Sequence, residues 1–184
     1  GYIMALDPKV KEILIEKKGE KYSNALLKCL EMTKKSYELI RTNLREGITE
    51  IDIKHLLDEG LTLEDGSVIE YSYSIGAGKS TGKIGRHYET DYVIKRGDTL
   101  LLDLWFGHNG AWADTGRNMF VGEPSKEAVK MYNTVLSSIR ALEKNVKPGI
   151  LGTEMLKMVD DIYKQAGYNP FPHHVGHAMD ETFS

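Results

Sequence analysis

Helix-period and strand-period stretches follow one another along the chain in an order that sets the fold class. Apolar positions at Ala25, Leu26, Leu30, Tyr37, Ile40 and Leu44 recur near the 3.6-residue period and predict a helix over 23–43 with one side turned to a core. A shorter helix is predicted at about 8–18. A third covers 49–59, where Thr49 and Asp52 match a capping box and Gly47 and Gly60 punctuate the ends. Strand signals follow at 68–75, 92–94, 98–106 and 111–121, then two helices at 126–145 and 153–166, separated by Pro148-Gly149. Strands in the middle with helices on either side predict an α+β fold built on an antiparallel sheet.

The candidate chemistry sits where two of those strands meet. Asp103 and Asp114 flank the turn sequence Gly107-His108-Asn109-Gly110. If the hairpin centres between His108 and Asn109, Asp103 faces Asp114 directly, and like charges at roughly 4.5–5.5 Å between Cβ atoms repel. If it centres on Asn109-Gly110, a strong two-residue turn signal, the two carboxylates are diagonal neighbours on the same face. The run from Asp98 to Phe106 is apolar enough on both sides of the pleat to read as a strand buried on both faces. A carboxylate there needs a shared proton, a cationic side chain or a metal ion. A divalent cation is the simplest partner for both; the plainer alternative puts Asp103 at the start of an exposed loop and pairs Asp114 with Arg117.

Near the other end, Pro172-His173-His174-Val175-Gly176-His177 holds three of the six histidines after a turn expected at Asn169-Pro170. Imidazole is a common ligand for Zn, Mn, Fe and Co. Pro172 and Gly176 disfavour a helix there. In an extended strand His173, Val175 and His177 share one face and His174 points away.

These residues, in this order, resemble the pita-bread metallopeptidases, which include aminopeptidase P, prolidase and methionine aminopeptidase, with creatinase as a non-metal relative. The likeness spans roughly 25–180 and rests on the Asp103–Asp114 hairpin, the His173/Gly176-His177 element and an upstream His87 in Arg86-His87-Tyr88. It implies a pita-bread α+β fold, incomplete at the C-terminus, with 1–20 an N-terminal segment and 21–184 a partial catalytic domain. It further implies Asp103, Asp114 and His177 as metal ligands, and His87 and His173 as residues that stabilise the tetrahedral intermediate or shuttle a proton. A complete site holds two divalent ions, with Mn, Co, Zn and Fe as the candidates. The implied activity is hydrolysis of small peptides by a metal-activated water, in the manner of an Xaa-Pro aminopeptidase or dipeptidase, with a homodimer as the expected assembly. The alternative is a non-catalytic pita-bread binding module.

The sequence departs from the family in three places. Trp105 stands where Gly is usual after the first Asp; Ala178-Met179-Asp180 replaces the Gly-Ile-Gly that follows the ligand His; and seven residues follow His177, too few to carry the two later Glu ligands. Truncation, disorder and a degenerate family member are the three readings of that last point.

Composition narrows the rest. With 41% apolar and 28% charged residues and a formal net charge of -3, the chain lacks the basic excess of a nucleic-acid binder. Its single cysteine, Cys29, reads as a buried structural thiol in a reducing compartment. No stretch approaches the length of a membrane span, so a cytoplasmic protein is expected. Gly76-Ala77-Gly78-Lys79-Ser80-Thr81 has the look of a phosphate loop, but Tyr73 stands where the pattern needs Gly and no helix is predicted to follow, so a flexible loop is the better reading. Trp105 and Trp112 are expected to pack in the core.

Overall fold

The computed structural model describes residues 7–61, 65–66, 69–82, 89–177 and 179. Its elements run α1 (Pro8–Lys18), α2 (Glu20–Asn43), α3 (Glu50–Gly60), β1 (Glu70–Ala77), a short 3-10 helix (Gly78–Gly82), β2 (Thr99–His108), β3 (Ala111–Phe120), α4 (Lys126–Asn145) and α5 (Gly152–Gln165). The predicted helices therefore form within a few residues of their expected ends. At Thr49 the capping box is present, the Thr49 side chain accepting from the Asp52 backbone N–H at 3.0 Å while Asp52 accepts from the Thr49 N–H at 2.8 Å. These bonds occupy backbone donors that a helix start otherwise leaves unpaired.

The chain divides into two compact units, one of the described residues within Gly1–Glu123 and Met179–Ser184, the other of those within Pro124–Ala178. In the first, β1, β2 and β3 form an antiparallel sheet in that order. Helix α2 packs on β2 and β3, and α3 packs on β1. The core between them gathers Cys29, Met32, Ile40, Ile53, Leu57, Ile75, Leu100, Leu102, Leu104 and Phe106, with Leu26, Leu30 and Leu44 partly buried against it. Ser23, Thr33 and Ser36 are buried on α2, and each hydroxyl donates to the carbonyl four residues earlier, at 2.7–2.9 Å. Their polar atoms are thus satisfied without a partner from the sheet. Cys29 is buried as expected; its Sγ donates to the Ala111 carbonyl at 3.5 Å, and burial pushes the thiol up to about 11.

In the second unit α4 and α5 pack together. The chain after α5 folds back on them through aromatic contacts: Tyr163 meets Tyr168 and Phe171 edge-on, at centroid distances of 6.3 and 5.7 Å. The Tyr168 hydroxyl donates to Glu127 Oε1 at 2.6 Å, and the Phe171 N–H donates to Asp160 Oδ1 at 2.8 Å.

Four expectations are corrected. The strand at 92–94 reduces to a single bridge between Thr49 and Val93, too short to be a ladder. Strand β2 is buried on one face only: Leu100, Leu102, Leu104 and Phe106 are closed off, whereas Leu101, Asp103 and Trp105 are half-exposed. The glycine-rich stretch is not a flexible loop throughout, since β1 continues to Ala77 and a 3-10 helix follows. The turn after α5 falls at residues 166–167 rather than at Asn169-Pro170, because Gly167 has φ 83° and takes the left-handed position there.

Candidate metal centre

Turn chemistry decides how the two aspartates meet. Asn109 has φ 48° and Gly110 φ 80°, the pair of positive values that a type I′ hairpin turn requires and that Asn-Gly supplies with little strain. His108 consequently pairs with Ala111, and the register carries on to Trp105–Asp114 and Asp103–Gly116. Direct opposition of the carboxylates is thereby ruled out and the diagonal arrangement is the one observed. Diagonal partners lie about 7–8 Å apart. That distance lowers the repulsion of two carboxylates and leaves room for a cation between oxygens that extend beyond each Cβ.

Alternation along the strands puts Asp103, Trp105 and Gly107 of β2 and Trp112, Asp114 and Gly116 of β3 on one side of the sheet. Ser72 and Ser74 of β1 pair with Trp105 and Asp103 on that same side. Both tryptophans therefore sit on the carboxylate face rather than in the core, and both are half-exposed. The Trp112 ring lies against Gly107 so closely that a Cβ there would come within 2.6 Å of it. The Trp105 indole Nε1 donates to Asp103 Oδ1 at 3.2 Å. Arg117 is on the opposite side of β3 from Asp114, with its guanidinium 5.9 Å from the centroid of the Tyr37 ring. Tyr37 donates to the Thr115 carbonyl at 3.0 Å, and burial pushes its phenol up.

Glu50 is a residue that sequence reasoning missed. It is fully buried; one carboxylate oxygen accepts from the Ala77 N–H at 2.7 Å and the other from the Thr90 N–H and hydroxyl, both at 2.9 Å. Ala77 and Thr90 flank 78–89, so one carboxylate ties together both ends of the stretch that contains His87. The signal was present: Glu50, Ile53 and Leu57 follow the i, i+3, i+7 spacing of a buried helical stripe. His87 itself lies outside the described residues.

His173 and His177 belong to the second unit. The segment takes a bent path rather than a strand, and His173, His174 and His177 are exposed. His174 does not point away from its neighbours: its ring is 3.7 Å from that of His173 and 6.1 Å from that of His177, centroid to centroid. Pro172 and Gly176 interrupt the alternation that the strand reading required. His173 Nδ1 lies 3.1 Å from the His174 carbonyl.

Two carboxylates on one half-exposed face offer hard, anionic oxygen ligands, a donor set that suits a divalent cation. Among the described residues no group of three His, Cys, Asp or Glu side chains is placed to hold a metal ion. The Asp103–Asp114 pair is the part of the candidate set that this structure assembles.

Residues 24–183 match the model of metallopeptidase family M24. An uncharacterized peptidase of Staphylococcus aureus (strain USA300) is 28% identical over 169 residues, which cover 88% of this chain and 46% of that protein. In solved structures, the X-Pro aminopeptidase of Thermotoga maritima superimposes with a TM-score of 0.78 at 23% identity, over 96% of this chain and 50% of that one. The prolidase of Pyrococcus furiosus does so with a TM-score of 0.74 at 23% identity, over 96% and 52%. The chain spans about half the length of these relatives, and its α+β architecture is that of the pita-bread fold. By its sequence match and its fold, the chain belongs to metallopeptidase family M24.

Proposed function

We propose that the protein hydrolyses small peptides with the help of a divalent metal, in the manner of an Xaa-Pro aminopeptidase or dipeptidase. The observation that carries this is the placement of Asp103 and Asp114 on one face of the β2–β3 hairpin in a chain of this family. In this reading residues 21–184 are part of the catalytic domain and 1–20 an N-terminal segment. Asp103, Asp114 and His177 hold metal, with Mn, Co, Zn or Fe as candidates and two ions in a complete site. A bound divalent ion supplies an activated water and polarises the scissile carbonyl. The chain's own residues then bind and orient: the two carboxylates fix where the charge sits, and Trp105 and Trp112 wall the face beside them. His87 and His173 donate protons or hydrogen bonds to the developing oxyanion and the leaving nitrogen. Proline in the second position of the peptide is the proposed preference, since the structural relatives include an X-Pro aminopeptidase and a prolidase. A cytoplasmic homodimer is part of the same proposal; no helix among the described residues is long and apolar enough to cross a membrane.

The test is calorimetric titration with Mn²⁺, Co²⁺ and Zn²⁺, on the parent chain and on Asp103→Ala. The parent takes up metal, and the variant loses uptake while its fold stays intact or becomes firmer, because a like-charge neighbour is gone. Loss of folding without a change in metal uptake makes Asp103 a structural residue and overturns the reading.

A further inference from the structure

We propose that Trp105 is a positioning residue for the metal centre, holding the Asp103 carboxylate through its indole N–H. The inference rests on the reading of Asp103 as a metal ligand and adds a residue that the reading does not require. Three observations carry it. Trp105 shares its face and its strand with Asp103, two residues away, and its Nε1 donates to Asp103 Oδ1 at 3.2 Å. It is also the direct cross-strand partner of Asp114, so one indole stands beside both carboxylates. Finally it is half-exposed and lies outside the hydrophobic core, which removes core packing as the reason for a large aromatic at this position.

The chemistry follows from the inventory of lone pairs. A carboxylate has about four acceptor positions across its two oxygens, and an indole N–H takes one of them. This bond by itself leaves a carboxylate able to coordinate an ion through either oxygen. A donor that sits on a carboxylate without blocking it fixes the rotation of the group, so less side-chain freedom is lost when an ion binds. Gly116, opposite Asp103, has no side chain to compete for the same space; a Cβ there would meet only the Leu102 carbonyl, at 3.9 Å. Partners of metal ligands typically contribute about 10–100-fold to metal affinity.

The test uses Trp105→Phe, which keeps an aromatic ring and removes the N–H. Calorimetric Mn²⁺ affinity is expected to fall by about 10-fold, with the thermal unfolding midpoint of the metal-free chain little changed. A second readout exploits the presence of only two tryptophans: in a Trp112→Phe chain Trp105 is the single indole, and its emission should change on Mn²⁺ addition with the calorimetric midpoint. Equal or tighter Mn²⁺ binding by Trp105→Phe, or an emission that ignores the ion, overturns the proposal while leaving the metal reading in place. Absence of Mn²⁺ uptake by the parent chain overturns both.

Discussion

The two faces of the β2–β3 hairpin come from the same twenty residues and have opposite characters. On one face Leu100, Leu102, Leu104 and Phe106 are at most 1% exposed and meet α2. On the other, Asp103, Trp105, Trp112 and Asp114 are half-exposed, and the Trp105 indole donates to Asp103. The difference separates the face that holds the hairpin together from the face that bears the proposed metal ligands. The closed face supplies the apolar burial that holds the hairpin, and the open face can carry like charges because the other side of the sheet has already fixed its backbone.

The largest expected effect tests the closed face. Phe106→Ala removes a ring that is 1% exposed and should lower unfolding free energy by about 3–5 kcal/mol in urea. A loss below about 0.5 kcal/mol, within the range of ordinary surface changes, would break the contrast. Next comes Glu50, which asks whether a buried charge behaves like core or like site. Glu50→Gln places an amide N–H₂ against N–H donors at Ala77 or Thr90, and stability should fall by about 1–3 kcal/mol in the same assay. An unchanged midpoint would show that the tie across 78–89 contributes little.

The smallest effect is a pH slope. The folded Cys29 thiol, raised from 9.0 to about 11 by burial, keeps its proton where the unfolded chain gives it up. Its contribution is fully present below pH 9 and is lost as pH rises from there to about 11. Cys29→Ala should flatten that portion of the stability-against-pH curve; an identical slope in both proteins would remove the thiol from the account.

Much of this molecule could be read before its structure. Helix α4 formed at 126–145 as its pattern predicts, and the Thr49–Asp52 cap marks the start of α3, because caps and 3.6-residue stripes are local features. The Asp103–Asp114 pair was legible as sharing a face in either register, since parity survives a two-residue shift. The bent course of the histidine segment was not legible. The segment follows the return of the chain onto α5 through Tyr168 and Phe171, contacts that no periodicity encodes.

By itself, then, the sequence determined the order of helices and strands, the two acidic positions on a common face and the family likeness, all of which follow from local propensity and spacing. Only the tertiary structure decided that the carboxylates are diagonal, that the face bearing them is open, and that Trp105 leaves the core to donate to Asp103. The reason is that burial belongs to a surface rather than to a residue: β2 carries large apolar side chains on both sides, Leu101 and Trp105 as well as Leu102 and Leu104, and which side closes depends on where α2 packs. Glu50 makes the same point, as a charge in the first turn of α3 becomes a buried tie once β1 and Thr90 arrive at its oxygens.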